Sequence, residues 1–183
     1  MKPLEQRAQA YAAALAAEVQ ALEESGAAIV QIDEPAIIKH PQDWAVFTRA
    51  LEPLIRVRDT ARKAGRKLQL ALYVYFHDPA PLYEKLAQLP VDILGLDFTY
   101  NAKLVDVVAA AGSPRSLALG LVDGRNTKLE SAAELARMVE KLLPKIKGER
   151  AYLGPSSGLE YLPRDRAVAK LELLGKIRAE VKG

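Results

Sequence analysis

Two kinds of apolar run alternate along this chain. Residues 4–24 place Leu, Ala and Val at helical spacing among Glu and Gln, and Ser25-Gly26 reads as a stop. Residues 27–32, Ala-Ala-Ile-Val-Gln-Ile, form a short apolar run with β-branched side chains, which predicts a buried strand. A helix is expected to open at His40-Pro41-Gln42-Asp43 and to reach Gly65, with Pro53 as a kink. The alternation repeats as strand 68–75 and helix 80–88, then strand 92–98 and a helix ending at Ala111. It closes with strand 116–122, helix 131–147, a short strand 151–153 and helix 164–181.

The pattern therefore predicts five strands, each followed by a helix, with one helix in front. No strand alternates cleanly between apolar and polar, so both sheet faces are expected to be covered. Repeated strand–helix units imply a parallel sheet with right-handed crossovers. Neither a linker nor a low-complexity stretch divides the chain, and residues 1–183 are expected to form a single α/β domain.

Composition narrows the chemistry. Half of the 183 residues are apolar and 27% are charged, which is globular usage. Cysteine is absent, which excludes disulfides, thiolate nucleophiles and cysteine-ligated metal. No apolar run reaches membrane-spanning length, and Met1-Lys2-Pro3-Leu4 leads straight into a helical pattern, so a soluble cytoplasmic protein without a membrane partner is expected. Net charge is +3, but Lys and Arg are spread over the helices and not interleaved with aromatics, which argues against nucleic acid. A small anion is compatible with that charge.

In a parallel sheet, function gathers at the C-terminal ends of the strands. Here those ends read Asp33-Glu34-Pro35, Tyr75-Phe76-His77-Asp78, Asp97-Phe98-Thr99, Asp123-Gly124-Arg125-Asn126 and Gly154-Pro155-Ser156-Ser157. A carboxylate just after an apolar run must be paired, hydrogen-bonded or solvated in a cleft. One reading is a single concave site lined by Asp33, Asp97, Asp123 and Arg125. The other is that each carboxylate caps a helix or sets its loop, with Asp123 and Arg125 pairing across theirs. Asp78 before Pro79 is expected to be a cap and Glu34-Pro35 a turn. Tyr73 and Tyr75 share one strand face, as an aromatic wall or as packing. His40 and His77 have no metal-ligand spacing, and no glycine-rich nucleotide loop is present.

These segments resemble the cobalamin-independent methionine synthase family. Gln31 to Ala36 is similar to its IDEPA segment, which both of that family's barrels carry. Tyr75-Phe76, Leu89-Pro90-Val91-Asp92 with Leu96-Asp97-Phe98, Gly120 to Asn126, and Pro155-Ser156-Ser157 resemble the N-terminal, non-zinc barrel in order and spacing. The resemblance implies a partial TIM (β/α)8 barrel, its last five strands, in methionine biosynthesis. It implies ligand-binding residues at Asp33, Glu34, Tyr75, Asp97, Asp123, Arg125, Asn126, Ser156 and Ser157.

The family's catalytic barrel holds zinc through a His, two Cys and a Glu. By strand register those positions fall near Ala71, Tyr73, Asp97 and Ser157, so no metal cofactor is expected. The resemblance implies a module that is non-catalytic alone and binds folate polyglutamate or another small anion. The alternative is an active 5-methyltetrahydropteroyltriglutamate–homocysteine methyltransferase or a subunit of one. Five strands leave a barrel without its other wall, so self-association, or a partner chain supplying the missing strands, is expected.

Overall fold

A computed structural model describes residues 3–148 and 150–182. The first helix, α1 (Leu4–Glu24), ends at Ser25, and Gly26 at φ +94° turns the chain into β1 (Ile29–Asp33). A short helix α2 (Ala36–Lys39) and a 3₁₀ turn (Pro41–Asp43) lead into α3 (Trp44–Lys63). There follow β2 (Gln69–Val74), α4 (Tyr83–Ala87), β3 (Ile93–Asp97) and α5 (Leu104–Ala111). The chain ends with β4 (Ser116–Val122), α6 (Ala132–Leu142), β5 (Ala151–Pro155) and α7 (Arg164–Glu180).

Every predicted element is present, and the differences have local causes. The helix expected to open at His40–Asp43 does so, through the 3₁₀ turn into α3, and a short helix not expected, α2, precedes it, where the Glu34 carboxylate accepts from the Ala36 and Ile37 amides at 2.8 and 3.0 Å. Pro53 lies inside α3 without ending it. α6 stops at Leu142 rather than at residue 147, since Pro144 lacks the amide a further turn needs and a 3₁₀ turn takes over.

The strands form one all-parallel sheet in the order β1-β2-β3-β4-β5. Period-two alternation sorts its side chains. One face carries Leu72, Val74, Leu94, Leu96, Leu117 and Leu119, packed with Leu86, Leu104, Leu135, Leu142 and Ile177 of the helices. A second cluster joins Val30 and Leu70 to Ala12 and Val19 of α1 and Leu54 and Ala61 of α3.

Paired residues across a parallel sheet point the same way, so the register gives the other face in rows. Gln31, Ala71, Ile93 and Ser116 form one; Asp33, Tyr73, Gly95, Ala118 and Tyr152 the next; Asp97, Gly120 and Gly154 the third. The expectation of two covered faces fails here: Ile29 is 42% exposed, and Gln31 and Asp33 are exposed. In a closed barrel this inner face is covered by the opposite strands, and five strands do not reach round.

Candidate functional site

The inner face opens into a cleft of about 340 Å³ that runs from Ile29 and Ile93, at the starts of β1 and β3, to Tyr75 and Ser157 beyond the ends of β2 and β5. Gln31 and Asp33 of β1, Tyr73 and Tyr75 at the end of β2, and Pro155 at the end of β5 with Ser157 just beyond line it. Tyr73 dominates its floor. Its ring lies over Gly95, where an added Cβ would come within 2.0 Å of Cδ2, and its hydroxyl passes Gly120, where a Cβ would stand 2.6 Å from Oη. Oη then donates to the Pro155 carbonyl at 2.7 Å, so a β2 side chain crosses two strands to reach β5. The two glycines leave the lane this ring occupies. Burial, with the Asp97 and Asp33 carboxylates beside it, pushes the phenol far above its usual range.

Asp33 stands exposed at the cleft wall and accepts from Gln31 Nε2 at 2.8 Å. Tyr75, half-buried, sits 6.2 Å from Tyr73 ring to ring. Burial first, then the charges of Asp33, Glu160 and Glu34, raise its hydroxyl. Glu34 points back into the α2 turn, as the turn reading expected. Phe76 follows at φ 71°, a left-handed conformation unusual for a side chain of that size. Its amide donates to Asp97 Oδ2 at 3.3 Å.

The acidic and basic strand ends join one network beside the cleft rather than in it. Asp97 is fully buried and accepts from the Thr99 amide at 2.9 Å and the Thr99 hydroxyl at 2.5 Å. Burial raises its carboxyl, and the Thr99 bonds oppose that shift. Arg125 donates to Thr99 Oγ1 at 2.6 Å and to Asp123 Oδ1 at 2.8 Å, and its guanidinium lies 4.2 Å from the Tyr100 ring centre. Burial pushes the Asp123 carboxyl up, but Arg125 outweighs it and holds the group below the usual carboxylate range. Asn126 donates to Asp123 at 2.7 Å, and Asp78 caps the turn at Ala80. Of the two sequence readings for Asp123 and Arg125, the geometry takes mutual pairing.

Ser156 is fully buried and accepts from the Gly124 amide at 3.1 Å. Ser157 reaches the cleft, and its buried hydroxyl has no partner. Of nine sequence-named positions, the structure thus brings Asp33, Tyr75 and Ser157 to the cleft, while six set loops or the network. Two contacts escaped sequence reading, one of them made by a tyrosine that the sequence had placed in an aromatic wall or in packing. Tyr73 acts through its reach to Pro155, for which opposed Gly95 and Gly120 were the available signal. Lys170, with no exposed surface, donates to the Lys128 carbonyl at 2.7 Å and to Glu130 at 3.1 Å; no local pattern marks a buried lysine on a helix.

The residues at the resembling family's metal positions do not fit zinc. By strand register they are Ala71, Tyr73, Asp97 and Ser157: Ala71 has no donor atom, Tyr73 is a bonded phenol held protonated by its surroundings, the oxygens of Asp97 are taken by Thr99 and Phe76, and Ser157 offers only a neutral hydroxyl. Among the described residues no three His, Cys, Asp or Glu side chains stand close enough to hold a metal.

Five parallel strands with helices on the outer face and a cleft along the inner one define part of a (β/α)8 barrel. The family model described as the cobalamin-independent synthase catalytic domain matches residues 2–179, and the chain belongs to that family. The chain is 30% identical over 148 residues to the 5-methyltetrahydropteroyltriglutamate–homocysteine methyltransferase of Halalkalibacterium halodurans, covering 79% of this chain and 19% of that protein. It is 29% identical over 155 residues to the methionine synthase of Thermococcus kodakarensis, covering 84% of this chain and 44% of the other. The structure of a B12-independent methionine synthase from Shewanella sp. W3-18-1, in complex with selenomethionine, superposes with a TM-score of 0.73 at 23% identity. That superposition covers 97% of this chain and 55% of the other. The chain thus spans about a fifth to a half of the length of these relatives. No helix among the described residues is long and apolar enough to cross a membrane.

Proposed function

We propose that this chain is a binding module of the methionine synthase family that does not itself activate a thiol. The observation that carries this is the side-chain set at the metal positions: Tyr73 fills the layer between β2 and β5, and no sulfur or imidazole ligand accompanies it. Zinc catalysis of thiol alkylation needs a metal that stabilises the thiolate, and these donors do not supply its cage.

The cleft favours a ligand with a positive group. No Lys or Arg is among its described lining residues, and Asp33 presents an exposed carboxylate there. Folate polyglutamate or another anion, the ligand implied by the sequence resemblance, finds no cation in this cleft, because Arg125 lies outside the lining and pairs with Asp123 and Thr99. An amino acid, held by its ammonium at Asp33, suits the charge better, and the Shewanella protein's selenomethionine is of that class.

The second reading, an active methyltransferase or a subunit of one, has one observation in its favour: the matching family model is that of the catalytic domain. Methyl transfer from methyltetrahydropteroyltriglutamate to homocysteine, with and without added zinc, separates the two. No methionine is expected in either case. Turnover that rises with zinc would establish the second reading.

A further inference from the structure

We infer that the cleft takes an amino acid whose side chain also ends in a positive charge, of lysine or ornithine size, and that Glu160 is the residue selecting it. The inference rests on the amino acid reading above and gives the same cleft a second cation-binding end. At about 340 Å³ the space lies at the small end of ligand pockets, roughly 300–1,000 Å³, and suits a single amino acid better than a folate with its glutamate tail.

Two carboxylates converge on its mouth from the two edges of the sheet. Asp33 ends β1, lines the cleft and is exposed. Glu160 stands on the loop after β5, and its carboxylate lies against Gly158, a lining residue, where an added Cβ would strike Oε2. β1 and β5 are the outermost strands, yet both carboxylates come close to Tyr75: of the charges acting on its hydroxyl, Asp33 is the strongest and Glu160 the next. Among the described residues, neither carboxylate is in a salt bridge with Lys, Arg or His. Glu34, the third acid nearby, is committed to the α2 turn.

Beside the cleft, Asp123 has its cation in Arg125, but at the mouth the negative field is left uncompensated. Two carboxylates drawn toward one ring repel each other, and a cation between them relieves that repulsion. An amino acid with a neutral side chain brings one ammonium and a carboxylate of its own, so it satisfies one acid and is repelled by the other. A basic amino acid satisfies both, with its α-ammonium at Asp33 and its side-chain ammonium at Glu160. The stem between them lies over Tyr75, half-buried in the lining, since a tyrosine ring receives methylenes and an ammonium alike. Tyr161, next to Glu160 and 72% exposed, adds a second ring to that end, and its hydroxyl also acts on that of Tyr75.

The test titrates the chain calorimetrically with L-lysine and with L-norleucine, which lacks only the side-chain amine. In dilute buffer lysine is expected to bind about three- to fivefold tighter, as far as an exposed ion pair carries it. The gap should close at about 1 M salt, where exposed charges are screened within ~3 Å. Glu160→Gln should bring lysine down to the affinity of norleucine, whereas Asp33→Asn should weaken both ligands. Glu84→Gln on α4, away from the cleft, should keep the preference. Glu160 is exposed, so its exchange is not expected to disturb folding, and the salt series on the unaltered chain decides the matter independently. Equal affinities, a preference that ignores salt, or one that survives Glu160→Gln would overturn the inference and leave the amino acid reading standing. Affinities indifferent to Asp33→Asn, or binding of neither amino acid, would overturn that reading and the inference with it.

Discussion

Tyr73 shows how a single side chain sets the character of the site. Its ring uses space made by Gly95 and Gly120, and its hydroxyl ties β2 to β5. Gly95→Ala forces the ring out of its lane, and the cost expected is about 1–3 kcal/mol, the range for overpacking. Tyr73→Phe keeps the ring and loses one hydrogen bond, for about 0.5–1.5 kcal/mol. Urea unfolding checks both; a Gly95→Ala chain as stable as the parent would mean that the ring is not confined.

Asp123 gives the pH dependence. Its folded carboxyl titrates below the ordinary carboxylate value, so it stabilises the fold above that value, and the contribution is lost as pH falls through the folded pKa. The stability gap between the parent and Asp123→Asn should therefore be full near neutrality and shrink in acid. A gap independent of pH would contradict the pairing with Arg125. Asp97, raised by burial, acts in the opposite sense, weakening the fold as pH climbs past its ordinary titration range.

Elements were more legible than the contacts between them. β4 starts and ends where its apolar run does, and α1 ends at the Ser25-Gly26 stop, because these boundaries are written in neighbouring residues. The strand ends that one of two readings gathered into a single site, Asp33, Asp97, Asp123 and Arg125, divided in space. Asp33 and Ser157 reached the cleft, while Asp123 and Arg125 turned to each other, since a charge follows its nearest partner, and that partner lies two residues away. Lys170 belongs to this scale too. Its ammonium, held by Lys128 and Glu130, fastens α7 to the loop before α6. Lys170→Met should free that loop, at a cost of about 1–3 kcal/mol for the acceptors left behind. Hydrogen exchange is expected to speed up over residues 123–131; unchanged protection there would mean that the loop is held by other contacts.

At the scale of the whole molecule, the outer face is a finished core and the inner face is not. The helices bury Leu72, Leu94, Leu117 and their neighbours completely, while Ile29, Gln31 and Asp33 stay open. The alternation of strands and helices announced a parallel sheet. It pointed wrongly to a covered inner face, because a strand bound for a barrel interior and one buried between two helix layers read alike in apolar pattern. Catalysis in this family turns on whether a metal can be held at that inner face, and the most direct measurement is zinc stoichiometry after loading and desalting, read by atomic emission. Less than about a tenth of an equivalent per chain, with no tight isotherm on titration, is expected from donors as poor as a bonded tyrosine and an engaged aspartate. One zinc retained per chain, lost on Asp97→Ala, would contradict a thiol-inert module.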